Sequence, residues 1–234
     1  MSAYLSDPVL LFWLILGATG GVIFYGRFYV QWWASERQKR SVMPIAFWYM
    51  SSVGSLMLLA YAVHTQSPVG ALGQSLNIVI YTRNLVHIWR EKGKLTSAAN
   101  WAIHGAVAVI SIVALGLVAH IWFSEYRHTQ TVAENEANQI WFWLAIGVAG
   151  QALFASRFII QWIATEVKRK SVIPHIFWHI SVVASVLQLA CFWQRGEWIF
   201  ALGMIANILV YSRNLWFIYR HPEESQASQA GMAQ

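Results

Sequence analysis

The sequence predicts an all-α integral membrane protein. It reads as seven transmembrane helices arranged 3+1+3, two parallel three-helix repeats flanking one linker helix. Three observations predict this. Of the 234 residues, 57% are hydrophobic and 11% are charged, against about 25% charged in a soluble domain. The apolar stretches run continuously for roughly 20 residues or more, the length of a membrane-crossing helix, and lack the alternation of barrel strands. Finally, the chain repeats itself. RFYVQWWASERQKRSVMP, Arg27 to Pro44, returns as RFIIQWIATEVKRKSVIP, Arg157 to Pro174. From Arg27 to Ser55, 14 of 29 positions are identical at a gapless offset of 130. A second block keeps the offset, with Gly73–Arg90 and Gly203–Arg220 identical at 9 of 18 positions.

The spans fall at about 8–34, 42–63, 68–90, 99–123, 138–164, 172–194 and 197–219. The first lacks a basic segment before it, so it reads as a retained helix rather than a cleaved signal. Residues 1–95 form the first repeat, 96–137 the linker helix and its following loop, and 138–221 the second repeat. The polar tail 222–234 is expected to be disordered. The longest connection, Ser124–Asn138, is too short to fold alone. The fourth span has no counterpart in either repeat, and its Gly, Ala and Ser suit close helix packing. Cys191, the single cysteine, allows no internal disulfide.

Loop charge gives the orientation. Arg37, Lys39, Arg40, Arg90, Lys92, Lys94, Lys168, Arg169, Lys170 and Arg220 fall on one side, and Arg127 and Arg195 on the other. Ten against two places the N-terminus outside and the C-terminus in the cytoplasm. The same distribution explains the net charge of +6 without nucleic acid. An odd number of helices per repeat plus one linker leaves both repeats in the same orientation, related by an axis along the membrane normal.

The RF..QW..SE....S..P..FW..S block followed by G...N...Y.RNL resembles the lipid-A-disaccharide synthase N-terminal-like family, here in two tandem copies. That family is similar to the SWEET, SemiSWEET and PQ-loop group of three-helix-repeat membrane proteins. The resemblance covers roughly residues 10–92 and 140–222. It implies a SWEET-like fold, a bacterial inner membrane location and a role in lipid A or envelope biosynthesis. It also implies that Asn77 and Asn207 face a substrate.

The residues themselves supply candidates. Gln74, Asn77, Tyr81 and Asn84 are spaced 3, 4 and 3, one polar stripe on one helical face. The second repeat keeps Asn207, Tyr211 and Asn214 but has Met204 for the glutamine. In hydrocarbon each amide needs a partner, so the stripe either glues helices or lines a cavity. Arg27 precedes Glu36 by nine residues, about 13 Å of helix, and Arg83 precedes Arg90 by seven, about 10 Å. With Arg157 and Arg213 this places four guanidiniums within the apolar spans. Arg83 and Arg213 can snorkel to the interface. Arg27 and Arg157 lie deeper, and a guanidinium fork matches phosphate or carboxylate. Gln31 and Gln161 lie one turn on, on the same face.

Other repeated residues have two readings each. Glu36 and Glu166 either pair with Arg83, Arg213 and the basic loops or couple transport to protons. Pro44 and Pro174 either begin a helix or act as hinges. Trp48 and Trp178 stack on a sugar, line a hydrocarbon groove or anchor the interface. Ile45, Tyr49 and Leu58 become His175, His179 and Gln188. The two histidines share a face, but nothing is spaced to complete a metal site, so an asymmetric substrate contact is expected. No nucleophile–base set, phosphate loop or metal motif is legible, so no cofactor is expected.

These readings converge on a transporter or flippase for an anionic lipid-linked sugar or polyprenyl phosphate. The alternatives are an accessory subunit or membrane enzyme of lipid A glycosyl transfer, working with a glycosyltransferase, and a carrier of soluble sugars.

Overall fold

The computed structural model describes residues 7–38, 44–93, 95–168 and 174–220. They form seven helices: α1 Pro8–Gln38, α2 Ile45–His64, α3 Pro68–Glu91, α4 Ser97–Thr129, α5 Glu134–Lys168, α6 His175–Gln194 and α7 Trp198–Arg220. The described residues divide into two compact units. The first holds α1 as far as Trp32, then α2, α3 and α4; the second holds the end of α1 from Trp33, then α5 from Gln139, α6 and α7.

Local chemistry sets the helix ends. Asp7 accepts from the Val9 N–H at 2.8 Å, and Pro8 follows it, where a missing N–H does no harm. Ser67 caps α3 by accepting from Gly70 N–H at 3.1 Å, again with a proline next. Thr96 caps α4 through Ala99 N–H at 3.2 Å. Pro44 and Pro174 occupy the N-cap positions of α2 and α6 in extended conformation. They stand ahead of the regular helix and interrupt no ladder.

The ends of α2 and α6 are built alike. Gln66 and Gly196 adopt left-handed φ values of 52° and 69°. The following N–H turns back to the helix, Ser67 to Ala62 O and Glu197 to Phe192 O, both at 2.8 Å. This C-terminal turn favours glycine, because a side chain in the left-handed region is strained. The first repeat carries glutamine there, partly offset by a bond from Gln66 Nε2 to Val63 O at 2.8 Å. Gln66→Gly is therefore expected to raise the melting temperature slightly, by a few tenths to about 1 kcal/mol of stability. A fall would show that the side-chain bond outweighs the strain.

Six of the seven helices are long and apolar enough to cross a membrane. The seventh, α3, is 24 residues long but is not among the six. Its polar stripe and Arg83, His87 and Arg90 lower its hydropathy. Within its own unit α3 packs against both α2 and α4, so much of its surface faces protein, and Gln74, Ser75 and Tyr81 are buried. Its counterpart α7 qualifies, with Met204, Ile205 and Ala206 where α3 has Gln74, Ser75 and Leu76.

Close backbone approach holds each unit's first two helices together. A Cβ on Gly54 of α2 would lie 2.8 Å from Phe24 N on α1. One on Gly20 of α1 would lie 2.8 Å from Met57 Cβ. In the second unit, a Cβ on Gly150 of α5 would lie 2.8 Å from Gln188 Cγ and 3.0 Å from Ala184 O of α6. Small residues at helix contacts are the usual device where lipid removes any hydrophobic drive between helices.

Candidate functional site: a caged arginine in each repeat

Phe24, Arg27 and Phe28 lie at i, i+3 and i+4 on α1, one face of the helix. That face meets Phe47 of α2 and Tyr81 of α3. The result is an aromatic cage around Arg27. Its guanidinium carbon lies 3.6 Å from the Phe24 ring centroid, 5.0 Å from Phe28, and 5.3 Å from both Phe47 and Tyr81. Arg27 is 7% exposed, and its Nε and Nη1 are buried without a hydrogen-bond partner. Trp48 extends the aromatic wall, 6.3 Å from Tyr81.

The second repeat rebuilds the cage from the equivalent residues. Arg157 lies 4.4 Å from the Phe154 centroid, 5.2 Å from Phe177 and 5.6 Å from Tyr211, with Trp178 6.1 Å from Tyr211. Here Nη1 also donates to Ser181 Oγ and Tyr211 Oη, each at 3.1 Å. Cation–π attraction offsets part of the cost of burying each charge, most strongly where water is excluded. An ion pair between Arg195 and Glu197, at 2.8 Å, lies elsewhere, in the turn before α7. Arg27 has no carboxylate partner among the described residues.

The side chains of the polar stripe bond to different partners. Gln74 and Asn77 bond to each other, Asn77 Nδ2 to Gln74 Oε1 at 3.3 Å, and Tyr81 belongs to the cage. Asn84 Nδ2 turns back to Ile80 O at 2.8 Å, and Asn214 Nδ2 to Val210 O at 3.0 Å. In the second repeat Met204 sulfur is a weak stand-in for the glutamine, 3.8 Å from Asn207 Nδ2. Asn207 is 6% exposed and its Oδ1 is buried without a partner.

Other candidates sit outside the cages. Arg83 and Arg213 are exposed, which fits a snorkelling position. Gln31 is half-buried and Glu36 is exposed. Glu36 makes no ion pair among the described residues, so its expected pairing is not found there. The side chains of Gln161 and Glu166, and the basic loop positions between Lys39 and Met43 and between Arg169 and Ile173, lie outside the described residues.

The histidines have a structural counterpart. His179 Nε2 meets Tyr219 Oη at 2.9 Å, and its Nδ1 meets His175 O at 3.0 Å. The equivalent positions of the first repeat form the same tie, Trp89 Nε1 donating to Tyr49 Oη at 2.8 Å. The pair therefore clasps the start of the second helix to the end of the third in each repeat, with different chemistry.

Sequence reasoning missed the phenylalanines and serines of the cages. Phe28, Phe47 and Ser51 fall inside the repeated block, but such residues ordinarily pack helices. Their value emerges only when three helices bring them around one cation. The Gln188 substitution was visible; its partner was not. Gln188 Nε2 donates to Gln151 Oε1 at 2.8 Å, at positions where the first repeat has Leu58 and Gly21. Beside the second cage, α5 and the start of α6 also form an apolar groove of about 310 Å³, lined by Ile160, Ile163, Ala164, Val167 and Pro174.

Residues 16–86 and 146–216 both match the lipid A biosynthesis N-terminal domain. The chain belongs to that family. The two matched segments stand at the same 130-residue offset and contain every cage residue of both repeats. They leave out α4 and the basic ends of α3 and α7.

Among curated proteins, the chain is 27% identical over 214 residues to lipid-A-disaccharide synthase of Chlamydia felis, covering 88% of this chain and 33% of that protein. It is 29% identical over 208 residues to lipid-A-disaccharide synthase of Chlamydia trachomatis serovar D, covering 87% and 33%. The chain thus spans about a third of the length of the curated relatives it matches. No solved structure matches it.

Proposed function

We propose that this lipid A biosynthesis N-terminal domain protein binds an anionic lipid-linked sugar phosphate or polyprenyl phosphate and moves it across the bacterial inner membrane. One observation carries the reading. Arg27 is buried among aromatic rings within an apolar helix bundle, and the second repeat half-buries Arg157 in a similar cage. A guanidinium stays charged, and a charge in hydrocarbon marks a functional site by default. A phosphate group supplies the missing counter-charge at Arg27 and fits the fork of donors. Within the first repeat Tyr81 and Asn77 suit contact with sugar hydroxyls; within the second, Tyr211 and the unmet Asn207 carbonyl do. The apolar groove beside Arg157, on the same face of α5, suits an acyl or isoprenoid tail.

In this reading α3 crosses with the other six helices, sheltered by its neighbours. The arrangement is 3+1+3 and SWEET-like, with the N-terminus periplasmic and the C-terminus cytoplasmic. Translocation proceeds by rearrangement of the two repeats, and Glu36 with Glu166 and Pro44 with Pro174 are the positions at which coupling or gating would act.

A second reading has one specific support. The curated relatives are named lipid-A-disaccharide synthases, and this chain matches about a third of them. It would then present lipid substrate to a glycosyltransferase without moving it. Reconstitution separates the two. Purified protein in liposomes should carry a fluorescent polyprenyl phosphate between leaflets, measured by quenching from one side. Binding without leaflet exchange would refute transport and favour presentation.

A further inference from the structure

The two cages are built from the same residue types, yet they hold their arginines differently. Arg157 is tied by Nη1 to Ser181 and Tyr211. No hydrogen bond joins Arg27 to Ser51 or Tyr81. Its guanidinium lies closer to its phenylalanine, 3.6 Å against 4.4 Å. It leaves both Nε and Nη1 buried and unmet, whereas at Arg157 this holds for Nε but not for Nη1. A nearby difference separates the repeats: Gly54 stands where the second repeat has Ala184. Gly54 lets the Phe24 backbone come down onto α2, since a Cβ there would lie 2.8 Å from Phe24 N and 2.9 Å from Phe24 Cα. Gly54 lies one turn beyond Ser51, so this approach shifts Arg27 relative to its serine. Ala184 carries the methyl group that Gly54 lacks.

We infer that the repeats have divided the work: Arg157 is a strut fastened within its own unit, and Arg27 is the single anion receptor, its unmet N–H groups taken up by a phosphate oxygen. The argument is one of exchange. An anion at Arg157 must displace hydrogen bonds already made to a charged group, whereas an anion at Arg27 relieves donors that are buried and unsatisfied, the costly state of a polar group. The inference rests on the proposed handling of an anionic lipid and specifies which repeat reads the charge. The ligand chemistry is a phosphate, lipid-borne or free.

The test uses the full chain in phosphatidylcholine nanodiscs. One arm adds inorganic phosphate, the other places phosphatidic acid in the disc. Bound lipid is counted by native mass spectrometry, affinity is titrated for both probes, and melting temperature is recorded. One phosphate-bearing ligand per chain is expected. Arg27→Gln should weaken it by about ten- to a hundred-fold with little change in melting temperature. Arg157→Gln should lower the melting temperature and leave the affinity of the folded protein little changed. Should that variant not fold, Ser181→Ala cuts one tie and serves the same comparison. Two ligands per chain, or equal loss of affinity in the Arg27 variant and in either second-repeat variant, would overturn the division while leaving an anion-binding protein. Binding of neither probe to the unaltered chain would remove the anionic-ligand reading altogether. Binding of inorganic phosphate but not phosphatidic acid would keep Arg27 as receptor and identify a free rather than a lipid-borne anion.

Discussion

Replacing Gly54 with alanine is expected to destabilise the first repeat and to weaken ligand binding together. Helix propensity alone predicts the opposite, since alanine is favoured over glycine by about 0.8–1 kcal/mol in a helix interior. The contact decides the sign. The new methyl would meet Phe24 N and Cβ at 2.8 Å and Cα at 2.9 Å. Two of those are backbone atoms, which no rotamer change can move, so α1 must back away from α2. Overpacking of this kind costs about 1–3 kcal/mol. Phe24 is also the ring nearest to Arg27, so the retreat of α1 disturbs the cage as well as the packing. Ala184→Gly is the control in the second repeat. It removes a buried methyl and adds backbone freedom, at about 1 kcal/mol, without touching Arg27. Melting temperature and phosphatidic acid affinity of both variants check this. A Gly54→Ala protein as stable as the original, with unchanged affinity, would contradict the close approach.

Gln188→Leu should destabilise the second repeat, and adding Gln151→Ala should restore much of the loss. The two amides bond at 2.8 Å, and Gln188 is fully buried against Gly150. Removing one leaves the other without its partner, which costs about 1–3 kcal/mol in general. In membranes such pairs average nearer 0.6 and reach about 1.7 kcal/mol, because the unfolded chain also finds partners. A single-variant cost of about 1–2 kcal/mol is therefore expected. Leucine itself fits the notch: Leu58 occupies the equivalent place against Gly20, its Cγ 3.5 Å from where a Cβ would sit. A double-mutant cycle by melting temperature reads the coupling. Strictly additive losses would show that the pair contributes no shared energy.

Much of the architecture was legible in the sequence because lipid imposes simple rules. A span must be apolar and long, and a duplication at a fixed offset shows which residues are built twice. Six helices follow from those rules directly. The rules fail at α3, where Gln74, Asn77, Arg83 and Asn84 make the helix too polar by composition, and only its packing against α2 and α4 accounts for the burial of Gln74. At the site, Arg27 and Arg157 stood out because an arginine deep inside an apolar run is costly and needs a reason. Phe24, Phe47 and Ser51 did not, because they are ordinary packing residues until a cation lies among them. His179 shows what spacing leaves out. Its chemistry suggested a ligand contact, and the structure also gives it a partner in Tyr219, matching the Tyr49–Trp89 bond at the same place in the first repeat. Neither pairing could be read from spacing, since the partners are 40 residues apart.

The central claim is that the buried arginine charge is met by a lipid-borne phosphate. Native mass spectrometry of the protein released from its own membranes tests it most directly. A bound lipid bearing phosphate, retained at detergent concentrations that strip zwitterionic phospholipid and absent from the Arg27→Gln variant, is the predicted result. A protein that emerges without such a lipid, or that retains the same lipid after Arg27 is replaced, would contradict it.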